Sequence, residues 1–350
     1  MALSDYHASV GNWREQLRRN ERRTFWVIMI FLAVYAGVGM FADVVIVQSL
    51  YPQATLQQCI YALVTWRVVP YATILMIAFA AISLLVTYTL YDRIMLLGTD
   101  SREINENLAQ TLQEKQLYNV VEEMKVAAGL RYMPKVYLIE ADYMNAFASG
   151  YSEKSAMVAI TRGLMEKLDR AELQAVMAHE LSHIRHHDIK LTLMVAVLSN
   201  ILLIVIDILF YSVIYRRDRR EDNRLILVIT LLRYILPIIT VVLALFVSRT
   251  REYMADAGSV ELMRDNEPMA RALLKITKDH HQHAEQYSDQ YGQTPHEQVR
   301  HASYLFDPSS IDPVKSFSNA FSTHPSIDER LRALGFKRKS PKETKEEPQE

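Results

Sequence analysis

His179-Glu180-Leu181-Ser182-His183 sets two imidazoles four residues apart, with a carboxylate beside the first. On an α-helix, residues i and i+4 share a face one turn apart, so both rings can bind one Zn2+ ion. Glu180, about 100° round the helix, stands where a general base can take a proton from water activated at that ion. Such a site takes three protein ligands and keeps one position open, so a further ligand is required. His186 and His187 follow at once, and His187 is four residues beyond His183. Three histidines on successive turns of one straight helix do not converge on a tetrahedral ion, so His186 and His187 are expected to be solvated or near lipid headgroups. A distant run, Arg251-Glu252-Tyr253-Met254-Ala255-Asp256, carries two more carboxylates at i and i+4. That spacing suits Glu252 as the third ligand and Asp256 as the acceptor of an imidazole N–H, which fixes the histidine tautomer. An ordinary charged helix face has the same spacing.

The elements that must hold these groups are legible nearby. Asp169 and Glu172 have the spacing of a capping box, and Leu173, Val176, Met177, Leu181 and Ile184 recur at helical intervals after it. Residues Leu108 to Leu130 read as a second helix, and Lys135 to Glu140 and Ala156 to Thr161 as short strands, with Gly150 in a turn between them. The second strand leads into the helix bearing the histidines. The predicted layout is a small sheet packed over an active-site helix. Residues 91–189 and 249–336 together make about 190 residues, enough for one domain with its own core.

Half of the 350 residues are hydrophobic, and they cluster. Four segments, about 25–47, 68–90, 191–215 and 225–248, each approach or exceed the roughly 20 residues needed to span a bilayer. They divide the chain into a basic arm (1–24), a first transmembrane hairpin (25–90), a first catalytic part (91–189), a second hairpin (190–248), a second catalytic part (249–336) and a charged tail (337–350). Arg14, Arg18, Arg19, Arg22 and Arg23 precede segment one, whereas only Arg67 lies in the loop after it. That asymmetry puts the arm and the 91–189 region in the cytoplasm. Because His179 precedes segment three and Glu252 follows segment four, those two segments must return the chain to the side it left. Arg216, Arg217, Arg219, Arg220 and Arg224 sit in the connection between them and oppose its export. Full crossing is the favoured reading, and a shallow hairpin packed on protein is the alternative. Asn200 and Asp207 in segment three indicate one face on protein or water.

The His-Glu-Leu-Ser-His run, two hydrophobic segments, then Arg-Glu-Tyr-Met-Ala-Asp resembles the HtpX-like membrane zinc metalloproteases, relatives of the CAAX prenyl proteases. Asn145-Ala146-Phe147-Ala148 and Thr323-His324-Pro325 through Arg330 extend the likeness over nearly the whole chain. The resemblance implies an α+β membrane protein with about four transmembrane helices and a mainly helical, zincin-like catalytic domain containing a small β-sheet. It implies one Zn2+ per chain on His179, His183 and Glu252, with Glu180 catalytic. It places a substrate-binding edge strand at Asn145, Ala146, Phe147 and Ala148; on spacing alone, a turn with one buried Phe147 is the alternative. His324 or Arg330 would stabilise the oxyanion, or Arg330 would brace the fold through a carboxylate.

The function implied is proteolytic quality control of misfolded or damaged membrane proteins, in a stress response at the cytoplasmic face of a bacterial inner membrane. The partners implied are unfolded or membrane polypeptides and the lipid bilayer. A CAAX-type prenyl-protein endoprotease and a zinc-stabilised membrane scaffold without activity are the alternatives. The net charge of −1, without a basic stripe, gives no sign of nucleic-acid binding. His280, His281 and His283, with His296 and His301 beyond, read as a solvated helix end. Cys59, the one cysteine, falls in the loop after segment one and has no partner for an internal disulfide. From Lys337 the sequence reads as a disordered tail.

Overall fold

The computed structural model describes residues 6–8, 13–96, 99–150, 152–186, 195, 199–200, 202–211, 223–293, 304–306 and 324–338. The chain runs through β1 (Tyr6–Ala8), α1 (Trp13–Leu50), α2 (Leu56–Val64), α3 (Tyr71–Leu96) and β2 (Ser101–Ile104). It continues with α4 (Leu112–Ala128), β3 (Lys135–Ile139), β4 (Ala146–Ser149), β5 (Met157–Thr161), α5 (Arg162–Lys167) and α6 (Arg170–Arg185). A helical stretch, α7 (Leu202–Tyr211), follows. Then come α8 (Asn223–Met263), α9 (Glu267–Gln282), α10 (Ala284–Gln293), α11 (Ile327–Ala333) and β6 (Phe336–Arg338). The protein is mostly helical with a small mixed sheet.

The chain divides into two compact units. One comprises Met1–Arg23, Thr89–Lys190 and Ser248–Glu350; the other comprises Thr24–Tyr88 and Leu191–Val247. In the first, the sheet order is β2-β3-β5-β4, with β3 and β5 parallel and the outer pairs antiparallel. The two expected strands are β3 and β5, side by side. Gly150 therefore turns the chain between β4 and β5, not between β3 and β5. Its φ is +128°, and a Cβ there would lie 2.5 Å from Ala156 Cα, so only glycine fits. The expected Leu108–Leu130 helix is shorter at both ends. Thr111 caps it by accepting from the Glu114 N–H, and Gly129 closes it in the left-handed region at φ 70°.

Helix α6 is the centre of this unit. Its capping box forms as the spacing predicts, with Asp169 and Glu172 each accepting from the other's backbone N–H at 2.9 Å. Beyond the expected apolar stripe, every residue from Ala175 to Ile184 is buried, both histidines included. Helix α4, helix α9 and strand β4 pack around it. Leu117 and Val121 of α4, Val158 and Ile160 of β5, and Leu273 and Ile276 of α9 join one core with Val176 and Leu181. Polar groups on such a helix face protein, so each must be matched inside the fold.

In the second unit, Val38, Ala42, Met76, Leu202, Ile206, Ile229 and Leu236 form a separate core, while many large apolar side chains stay exposed. Segment one falls within α1, and segment two from Tyr71 onward lies in α3. Segment three is described chiefly over α7, which carries Asp207 in an ion pair with Arg233 at 2.8 Å. Asp43 caps α3, accepting from the Ala72 and Thr73 backbone N–H groups at 2.7 and 3.0 Å. Among the described residues, one stretch, Ile226–Met263, is long and apolar enough by length and composition to cross a membrane. Cys59 lies buried in α2, not in an open loop. The first two residues of the anticipated tail belong to a strand: Phe336–Arg338 forms β6 and pairs antiparallel with β1. Residues 339–350 lie outside the described residues.

Candidate active site

Helix α6 turns His179 and His183 toward one point, their Nε2 atoms 3.2 Å apart. Helix α8 brings Glu252 to the same point, with its oxygens 3.7 Å from each of those nitrogens. The two helices approach closely because Ser182 faces Gly258. A Cβ on Gly258 would sit 2.4 Å from Ser182 Oγ and 2.8 Å from its Cβ. Ser259 Oγ ties the crossing by donating to the Ala175 carbonyl at 2.9 Å. Small residues at a helix contact let the backbones approach, and here the gain is the position of a carboxylate.

The partners of these groups are set out behind them. His179 Nδ1 lies 3.0 Å from Asp256 Oδ1, which leaves the Nε2 lone pair toward His183 and Glu252. Asp256 in turn accepts from Arg330 Nε at 2.9 Å and Nη2 at 2.6 Å. Arg330 Nη1 donates to the Leu305 carbonyl at 2.8 Å and lies 3.6 Å from Glu252. His324 Nδ1 lies 3.4 Å from Glu252 Oε2. Glu180 is 1% exposed, and among the described residues its carboxylate oxygens make no well-formed hydrogen bond, the Ala148 N–H acting on it only weakly.

This donor set fits a metal ion. Two imidazole nitrogens and a carboxylate oxygen all lie within 4.8 Å of one another. Ligands at zinc's usual bond lengths form a tetrahedron with edges of about 3.3 Å, close to these separations. The two ring nitrogens 3.2 Å apart, with the Glu252 carboxylate 3.7 Å from each, are placed to share one cation.

Electrostatics agree with the donor set. Burial lowers the pKa of His179 despite the pull of Asp256, so the ring is neutral and able to ligate. Burial would raise Glu252, but His324, His183 and Arg330 outweigh it and hold the carboxyl well below its ordinary range. Asp256 is likewise kept ionised against burial by Arg330 and His179. Glu180 differs from both. Burial pushes its carboxyl up to about 7, helped by Glu252 and opposed by His183 and Arg330.

Residues 111–336 match the profile of Peptidase family M48. A Protease HtpX homolog of Helicobacter pylori (strain Shi470) is 37% identical over 323 residues, covering 92% of this chain and 98% of that protein. The chain belongs to peptidase family M48. A Protease HtpX homolog of Streptococcus uberis is 31% identical over 332 residues, covering 91% of this chain and 98% of that protein. The crystal structure of S. mikatae Ste24p covers 94% of this chain and 67% of that one at a TM-score of 0.46 and 17% identity, too loose a likeness to carry weight. With the His-His-Glu set in place, this M48 chain is a metalloendopeptidase.

The M48 match, residues 111–336, includes every residue brought together here. Asn145, Ala146, Phe147 and Ala148 lie at and along β4, an edge strand of the four-stranded sheet. His186 caps α6 and is half-buried, with its ring near the Gly258 position. His187, His296 and His301 lie outside the described residues. His280 is not part of a solvated helix end. It is 1% exposed, packs at 4.4 Å against the tilted Phe306 ring and meets the Tyr291 hydroxyl at 3.3 Å. Sequence reading also missed Gly258 and Leu305. The Ala255-Asp256-Ala257-Gly258-Ser259 run of small residues was the signal for a close helix contact.

Proposed function

We propose that this chain is a membrane-embedded zinc endopeptidase acting on unfolded or damaged polypeptides at the cytoplasmic face of a bacterial inner membrane. The observation that carries the reading is the convergence of His179, His183 and Glu252 within 4.8 Å, beside the buried Glu180. His179, His183 and Glu252 hold the zinc. When bound, zinc polarises the scissile carbonyl and lowers the pKa of water.

Glu180, its pKa raised to about 7 by burial, takes the proton of the attacking water and delivers it to the leaving amine. Asp256 fixes the His179 tautomer, and Arg330 holds Asp256. Since Arg330 Nε, Nη1 and Nη2 are directed at Asp256 and Leu305, we assign it the bracing role and His324 the oxyanion contact. The apolar stretch that begins at Ile226 supports membrane embedding. Four crossings, with both hairpins spanning fully, complete the reading. The base argues against a purely structural zinc site, which closes its fourth position and has no use for a carboxylate there.

Incubation of the detergent-purified chain with casein, zinc-loaded or chelated, tests the activity. Zinc-dependent cleavage is expected; no cleavage in either state would leave the scaffold reading. A prenylated C-terminal peptide run in parallel addresses the CAAX alternative, which predicts that this peptide is cut in preference to casein.

A further inference from the structure

Strand β4 has one face on β5 and one outer edge. In an antiparallel pair, alternate residues turn their N–H and C=O groups inward and outward. The register pairs Phe147 with Ala159 and Ala148 with Val158, and Thr161 N–H donates to the Asn145 carbonyl at 3.0 Å. Asn145, Phe147 and Ser149 therefore bond toward β5, while Ala146 and Ala148 present their main-chain groups to the outer edge. Strand β4 packs on α6, and the Ala148 N–H faces Glu180 closely enough to pull weakly against the rise caused by burial. A substrate strand added at this edge would pair with those two residues in turn.

The outer position at Ala146 is already taken. Leu305 N–H donates to the Ala146 carbonyl at 2.9 Å. The segment 304–306 is buried and anchored on every side: Leu305 C=O accepts from Arg330, and the Phe306 carbonyl accepts from Asn145 Nδ2 at 3.0 Å. The Tyr304 ring packs on Phe147 with centroids 5.8 Å apart, and Phe306 packs on His280. Asn145 Nδ2 also donates to the Tyr291 hydroxyl at 3.2 Å, which meets His280, so the anchoring reaches α9 and α10.

We infer that Tyr304–Phe306 is a fixed wall of the substrate cleft, leaving Ala148 alone to pair with the main chain of the substrate. Leu305 is thereby a specificity-determining residue through its backbone. An extended substrate gains main-chain hydrogen bonds at one residue and must leave the sheet edge before the next outward position, about 7 Å on. Peptides able to bend there are preferred, and long regular strands are excluded on the Ala146 side.

The inference rests on the peptidase reading above, and the test separates the two. A casein-derived peptide cut by the zinc-loaded full chain is remade with single amide-to-ester replacements at successive positions outside the cleaved bond. In either strand direction Ala148 C=O accepts one substrate N–H, so one position is expected to lose about 10-fold in kcat/KM, the order of one net hydrogen bond. Losses at two positions two residues apart on one side of the bond would mean that substrate also bonds Ala146, and would overturn the wall. No loss at any position would overturn pairing at Ala148. If the unmodified peptide is cut equally with chelator, the zinc peptidase reading itself fails.

Discussion

Asp256 answers to two neighbours at once, His179 Nδ1 at 3.0 Å and the Arg330 guanidinium through two donors. Removing its charge while keeping its shape, as in Asp256→Asn, should lower zinc affinity by about 10–100-fold, the range for partners that orient a ligating histidine. Competition against a chromophoric chelator reads that loss, and an unchanged affinity would remove Asp256 from the site. Glu252→Ala should leave too few ligands and lower bound zinc, whereas His187→Ala should leave the metal content unchanged. The opposite pattern in metal analysis would replace Glu252 with the histidine. The i, i+4 spacings of both pairs were legible because a helix repeats locally. The Arg330–Asp256 pair was not, since it joins residues 74 positions apart and exists only after α8 and α11 pack.

Each element was legible in proportion to its local signal. Helix α6 announced itself by its capping box, and β3 and β5 by short apolar runs. Strands β2 and β4, each four residues, are too short for a period to stand out. The burial of α6 on all sides from Ala175 to Ile184 was hidden because its histidines there are matched by partners from distant segments. Gly258 belongs to this scale. Gly258→Ala should force α6 and α8 apart, costing about 1–3 kcal/mol in stability and lowering metal occupancy. Thermal unfolding in detergent with parallel metal analysis checks both, and parent-like values would show that the crossing has slack.

His280 makes the second element-scale test. Burial lowers its pKa from 6.5 to about 4, so the unfolded chain takes up its proton first as pH falls. The folded state is therefore penalised progressively from pH 6.5 downward, by up to about 3 kcal/mol near pH 4. His280→Phe has no such proton. The stability gap between parent and variant should shift in the variant's favour across that window, and parallel pH profiles would contradict the burial.

For the whole molecule, the hydrophobic segments were legible from composition, because apolar runs need no tertiary partner. The placing of Asp207 against Arg233 was only half legible: the sequence showed that Asp207 needs a polar neighbour, but not which one. The proposed topology predicts that a cysteine at Asn223, in a Cys59→Ser background, reacts with an impermeant thiol reagent from outside intact cells. One at Ser101 should react only after lysis. Protection of the residue-223 cysteine would make the second hairpin shallow, and outside labelling at residue 101 would invert the orientation. The central claim, that Glu180 is the base of a zinc endopeptidase, is tested most directly with Glu180→Gln in the purified full chain. The account predicts parent-like zinc content with casein cleavage reduced at least ~10²-fold. A zinc-loaded Glu180→Gln chain that cuts casein at near the parent rate would contradict it.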